Sequence, residues 1–431
     1  MNPPYRRLVL GVTLALGLLG AIPGVAFAAQ PSCGDTLMTN TTLSADLDCS
    51  AYVGDALTIG KNGITLNLNG HTITGLTGDE GVDGVFIAQH KNVTVTNGTI
   101  EGFGVGVYVD HGIQDKVTWL TINGEAADTD DVGVDVNYGV GNKIAHVTTT
   151  GVTTGVNSYA SASNTFSDND LTSDEYGVYT EYESYDTFSH NQAHAPYGFY
   201  DDYSGSLKYM NNTANGGTDG FYVDCDGYGV VTLSGNTAND NSTYGFYLYD
   251  CGPDNNAGPN RSFVQGNTAN GNEFGVYIEC DGYGVVTVTG NTANHNNSQG
   301  FYSYECYETS NLVVSSVFKN NTANWNNLGF YDYYTTNATW TMNTANHNSG
   351  DGFELDYPGG STITSNVANH NGDTGLDLID AVSAGYGGPS TVSWNTANRN
   401  DSGMVSDYGV PGHGNTARHN ATQDCTNVIC N

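Results

Sequence analysis

The tetrapeptide Asn-Thr-Ala-Asn begins at Asn212, Asn236, Asn267, Asn291, Asn321, Asn343 and Asn395, with degenerate copies at Asn191, Asn366 and Asn415. Soon after most copies comes a glycine, an apolar residue and usually a tyrosine, as in Gly198-Phe199-Tyr200, Gly220-Phe221-Tyr222, Gly245-Phe246-Tyr247, Gly300-Phe301-Tyr302 and Gly329-Phe330-Tyr331. The glycine register continues backward through Gly177, Gly155, Gly133 and Gly106 to Gly84, at a spacing of 21 to 30 residues. A fixed period in this range implies a solenoid, in which each repeat buries its apolar face only by stacking on its neighbours.

The local pattern decides the kind of coil. The segments from Val230, Val276 and Thr362 alternate apolar and polar residues and are rich in β-branched and aromatic side chains. Past the N-terminal leader, no long stretch carries helical period. A repeat of this length accommodates three short strands and three bends, the size of a parallel β-helix coil. The Leu-rich consensus of the similarly sized leucine-rich repeats is absent.

Residues 1–28 have the layout of a secretory signal: Arg6 and Arg7, an apolar run from Leu8 to Leu19, and the small-residue site Ala26-Phe27-Ala28. No later segment is apolar enough to span a bilayer, so no membrane insertion of the mature chain is expected. Removing the leader takes the formal charge from −34 to −36 and leaves nine Lys and Arg. Such a surface excludes nucleic acid as a partner and disfavours polyanionic ligands unless a cation bridges them.

Eight cysteines in an exported chain imply four disulfides. Cys225 and Cys280 each lie five residues after a register glycine, and Cys251 and Cys306 lie six after one. Stacked strands are about 4.8 Å apart, within disulfide reach. The register therefore pairs Cys225 with Cys251 and Cys280 with Cys306, leaving Cys33 with Cys49 and Cys425 with Cys430 at the ends. A zinc site is the alternative, but no Cys-x-x-Cys supports it.

The expected organisation is a signal peptide at 1–28, an N-terminal cap at 29–60, one parallel β-helix over 61–420 and a disulfide-tied tail at 421–431. About fourteen coils at roughly 4.8 Å give a rod on the order of 65 to 70 Å long. Asp224-Cys-Asp-Gly-Tyr-Gly-Val-Val-Thr recurs almost unchanged from Glu279, 55 residues on, a two-coil duplication. The stretch Gly252 to Arg261 reads as a protruding loop.

The strand-bend-strand unit Ile64 to Gly75 and the iterated Asn…Gly-apolar-x-apolar units resemble right-handed parallel β-helix repeat proteins of the pectin-lyase-like superfamily. The resemblance covers nearly the whole mature chain. It implies an all-β, single right-handed solenoid. It does not choose among lyases, hydrolases, epimerases, tailspikes and adhesins.

Alternate residues of a strand face opposite sides. Counting from the register glycines, the first outward column includes Tyr179, Tyr200, Tyr222, Tyr247, Tyr277, Tyr302 and Tyr331. The second includes Glu181, Asp202, Asp224 and Glu279. This strip is either a packing device or a groove in which tyrosine faces stack on sugars and carboxylates accept sugar hydroxyls. The repeated Asn is read as a structural ladder, and His295, His347 and His370 as bend residues.

The resemblance implies substrate lying along an exposed sheet, yet the sequence assembles no lyase or polygalacturonase motif. Asp110-His111 after Tyr108 is the nearest echo of the alginate-epimerase motif. Catalytic candidates are Asp110, His111, Asp135, Glu181, His190 and Asp202, within coils that also hold His146, Glu183 and Lys208. No cofactor is expected beyond calcium held by paired acids. The expectation is a secreted or cell-surface monomer that binds a polysaccharide along the strip. The alternatives are a polysaccharide lyase, epimerase or hydrolase, and a maturation factor like the β-helix proteins of copper-enzyme assembly.

Overall fold

A computed structural model describes residues 30–76, 82–124, 131–225, 229–251, 261–280, 284–307, 315–382 and 388–431. The expected signal peptide at 1–28, most of the Gly252–Arg261 stretch and parts of the 55-residue duplication lie outside the described residues.

The chain forms one parallel β-solenoid of about 15 turns, all-β, close to the fourteen expected. Each coil contributes to three faces. The first face is built from the register-glycine strands, such as Asp219–Asp224, Tyr244–Tyr249, Phe274–Glu279 and Gln299–Tyr304, each paired in parallel with the next. The second face follows it, with strands such as Thr232–Ser234 and Thr339–Thr341. The third is reduced to short strands and single bridges through the Thr of each Asn-Thr-Ala-Asn, as in Thr268 with Thr292. Coiling extends into the segment expected to cap the rod: Asp35–Leu37 already pairs in register with Leu57–Ile59.

The register glycines are dictated by close approach between coils. A Cβ on Gly220 would sit 2.6 Å from the carbonyl oxygen of Gly245 and 2.6 Å from the Cβ of Ala238. The residue after each glycine points inward. Phe199, Phe221 and Phe246 stack at 4.6 and 4.9 Å and are fully buried.

The bend between the second and third faces is left-handed, at His190, Asn211, Asn320, Met342 and Trp394 among others. Asn and His are over-represented in that conformation. The next residue is the ladder asparagine. Asn267 donates Nδ2 to Oδ1 of Asn291 (3.0 Å) and to the Leu233 carbonyl (3.0 Å), while its backbone N–H also reaches Oδ1 of Asn291 (2.8 Å). Its own Oδ1 accepts from the backbone and side chain of Asn236. The same links run from Asn169 to Asn415. A second ladder runs through Asn241, Asn272, Asn296 and Asn326. The amide oxygen and nitrogen of these ladder asparagines thus find partners in adjacent coils.

Four disulfides join the pairs the register pointed to: Cys33–Cys49, Cys225–Cys251, Cys280–Cys306 and Cys425–Cys430. The two internal bridges span adjacent coils, with Cα separations of 4.8 and 4.9 Å.

Candidate functional site

Strand pairing places Tyr179, Tyr200, Tyr222, Tyr247, Tyr277, Tyr302 and Tyr331 in one unbroken outward column of the first face. The second column brings Glu181, Asp202, Asp224, Tyr249, Glu279, Tyr304 and Tyr333 alongside. Parallel pairing in strict register forces like side chains onto one another, and the tyrosines stack ring on ring. Centroid separations are 5.8 Å for Tyr179–Tyr200, 4.5 Å for Tyr200–Tyr222, 4.8 Å for Tyr222–Tyr247 and 4.1 Å for Tyr277–Tyr302.

This geometry corrects one expectation. The ring faces inside the column are covered by other tyrosines, so they do not stack on sugars. What the strip presents to solvent is ring edges and phenol oxygens. Several of these oxygens meet neighbouring carboxylates: Tyr247 with Glu279 at 3.3 Å and Tyr331 with Asp356 at 3.4 Å. Partial burial and the adjacent acids raise the pKa of Tyr222, Tyr247 and Tyr277, so these phenols stay protonated and able to donate.

The N-terminal end of the strip is different. The Asp110 carboxylate lies 2.6 Å from Nδ1 of His111. On the next coil, Asp135 accepts hydrogen bonds from Nδ2 of Asn157 (2.7 Å) and Asn137 (3.3 Å). Nδ2 of Asn137 also donates to the Tyr108 oxygen at 3.2 Å. Desolvation pushes Asp135 up to about 6. Asp83 rises to about 8, from burial and then the charges of Asp55 and Asp135. Tyr108 and Asp135 thus share Asn137, and the Asp110–His111 pair lies near enough for the Asp110 charge to act on both, which makes an asymmetric acid-base cluster in which the His111 ring itself stacks on Tyr138.

The other catalytic candidates do not join it. Glu181 and Asp202 share the second outward column but lie further along the rod, within the tyrosine strip. His190 occupies the left-handed bend after the second face, 3.4 Å from Nδ2 of Asn211, on a different corner of the coil. His146 is on that same corner, stacked on Trp119 at 3.8 Å.

Two inward carboxyls were not anticipated as such. Asp201, beside outward Asp202, enters the core and accepts from the Thr180 hydroxyl at 2.6 Å. Asp332 does the same with Ser303. Burial pushes both up to about 7. The alternation that assigns Asp202 outward also assigns Asp201 inward, so the signal was present. Glu183 and Asp186 are buried together at the bend that follows strand Asp170–Glu181, and burial plus mutual proximity raises Glu183 strongly.

Among the described residues, no group of three or more His, Cys, Asp and Glu is placed to hold a metal ion, and all eight cysteines are in disulfides. No helix is long and apolar enough to cross a membrane, among those residues.

A family model described as periplasmic copper-binding protein (NosD) matches residues 32–194. The described residues offer no group of His, Cys, Asp and Glu that would hold copper. No curated protein sequence matches the chain. Similar solved structures include the A-module of mannuronan C-5 epimerase AlgE6 of Azotobacter vinelandii, at 12% identity and TM-score 0.35, covering 91% of each chain. Another is the catalytic unit of a GH87 α-1,3-glucanase from Streptomyces thermodiastaticus, at 12% identity and TM-score 0.44, covering 90% of this chain and 72% of that one. A third is a tailspike mutant of Escherichia coli bacteriophage HK620, in complex with a hexasaccharide, at 12% identity and TM-score 0.37, covering 92% of this chain and 73% of that one. The model of the right-handed β-helix region matches residues 132–278 and 275–430, and the chain belongs to that family.

Proposed function

We propose that this is an exported protein that binds an extended polysaccharide along the tyrosine strip of the first face. The observation that carries the reading is the unbroken column from Tyr179 to Tyr331, flanked by Glu181, Asp202, Asp224 and Glu279. It offers a straight row of phenol donors, with a carboxylate acceptor beside the tyrosine on four of the seven coils. Such a row suits a linear polymer rich in hydroxyls. The acids make a neutral glycan a better partner than an acidic one. The deciding experiment is a glycan array followed by titration calorimetry of each hit. Absence of any glycan ligand, or equal affinity for Tyr247→Phe/Tyr277→Phe, would refute the strip as the site.

A second reading has its own support. The Asp110–His111 pair beside Asp135 and Tyr108 supplies an acid and a base on adjacent coils, which general acid-base chemistry on a sugar chain requires. On this reading the strip holds the polymer and its N-terminal end modifies it. A product assay on any array hit, with His111→Asn as control, tests it.

A further inference from the structure

The residue after each Asn-Thr-Ala-Asn unit takes a left-handed conformation, and along the C-terminal half these positions are His295, Trp325, His347, His370, Arg399 and His419. All are exposed. They lie on the bend after the third face. Trp325 stacks on His347 at 4.3 Å, and His347 on His370 at 4.8 Å, with planes within 11°. The column then continues into Arg399 and His419, on successive coils.

Arg418, which pairs in register with Asn398, adds a second guanidinium beside Arg399. It stands where earlier coils carry the fourth residue of the repeat, an asparagine. Both arginines, with His347, His370 and His419, line a cleft of about 450 Å³.

Charge makes this arrangement unusual. The chain has 45 Asp and Glu and, past residue 28, only three arginines, two of which meet here. Arg261, the third, is bonded to Oγ1 of Thr287 elsewhere. Among the described residues, the carboxylates at ion-pair distance belong to His71, His111 and His194, and none to Arg399 or Arg418. Two guanidiniums in an acidic protein, left without carboxylates and flanked by imidazoles, form a bidentate receptor for oxyanions. The parallel imidazoles do not converge on one point, so they suit successive donors along a ligand rather than a shared metal ion.

We propose that this cleft is a second binding site, for an elongated oxyanion bearing two carboxylate or phosphate groups about one coil apart. The guanidiniums of Arg399 and Arg418 clamp one group, and His370 and His347 donate to the other. The surrounding negative field disfavours densely charged polymers, so the ligand is small or sparsely charged. The site lies on the bend after the third face, whereas the tyrosine strip lies on the first face, and it is independent of that strip.

The test is calorimetry of the full chain, at one fixed pH and low salt, with diphosphate, glutarate and neutral erythritol. Diphosphate, glutarate or both should bind at one site, and erythritol should not; the anion preferred identifies the group recognised. Arg399→Gln/Arg418→Gln should weaken binding at least tenfold with an unchanged Tm, because both side chains are exposed. Tyr247→Phe/Tyr277→Phe should leave anion binding as it was. Failure of both anions to bind, or equal affinity in the double arginine variant, would overturn the site without touching the glycan reading.

Discussion

Tyr277 and Tyr302 lie ring on ring, with centroids 4.1 Å apart and planes within 10°. Their faces are spent on each other, so truncation and hydroxyl removal should separate packing from binding. Tyr277→Ala should lower stability by about 1 to 2 kcal/mol, through lost stacking and burial. Tyr277→Phe should leave the melting temperature nearly unchanged while reducing glycan affinity. Tyr277→Phe with unaltered affinity for an array hit would leave the column a purely structural device.

The acid-base cluster predicts a different pattern. If Asp110, His111 and Asp135 act on substrate, His111→Asn and Asp135→Asn should each lower the rate of product formation at least a hundredfold. Binding along the strip should persist in both. His190→Asn, on another corner, should be neutral. A rate loss in His190→Asn equal to that in His111→Asn would refute the assignment.

Stability should depend on pH in a specific direction. Burial raises Asp201 and Asp332 to about 7, Asp83 to about 8 and Asp135 to about 6, so the fold favours their protonated forms. Their stabilising contribution is complete below the ordinary Asp range and is lost as pH rises through about 6 to 8. The Tm should therefore be higher at pH 5 than at pH 8.5. Asp201→Asn should reduce that difference by raising the Tm mainly at pH 8.5. A flat profile in the parent protein would show these carboxyls to be hydrated.

Asn267→Ala removes one rung from the middle of the inner ladder. It strands the backbone and side-chain donors of Asn236, takes a donor from the Leu233 carbonyl and leaves Oδ1 of Asn291 with only the backbone N–H of residue 267, and should cost about 1 to 3 kcal/mol. Chemical denaturation measures this directly. An exposed asparagine outside the left-handed bends, such as Asn297, substituted in the same way, should have a far smaller effect.

The fold was readable because one period governs it. The glycine register located the first face, its alternation assigned Tyr222 outward and Phe221 inward, and its offsets paired Cys225 with Cys251. The state of the strip was less accessible. Column membership follows from counting, but whether a ring presents face or edge depends on the side-chain torsions adopted under stacking. His190 illustrates the same limit: it falls inside the stretch richest in candidates, yet the bend turns it to another corner. Arg399 and Arg418 carry no signal singly: the histidines at the Arg399 position read as bend residues, the other copies of the Arg418 position are asparagines, and only the meeting of the two arginines on successive coils gives them meaning.

The twin disulfides bear on how such a rod acquires its length. Cys225–Cys251 and Cys280–Cys306 have the same sequence separation of 26 and sit at equivalent places in consecutive two-coil units. Each unit brings its own clasp, its own ladder rungs and its own share of the tyrosine column, and meets its neighbours through the same ladders and register glycines as the unit before it. Copying one unit in frame therefore requires no new interface. It lengthens the molecule by two coil heights, about 10 Å. The protein can thus be regarded as a ruler graduated in two-coil steps, whose length is adjustable by duplicating one unit.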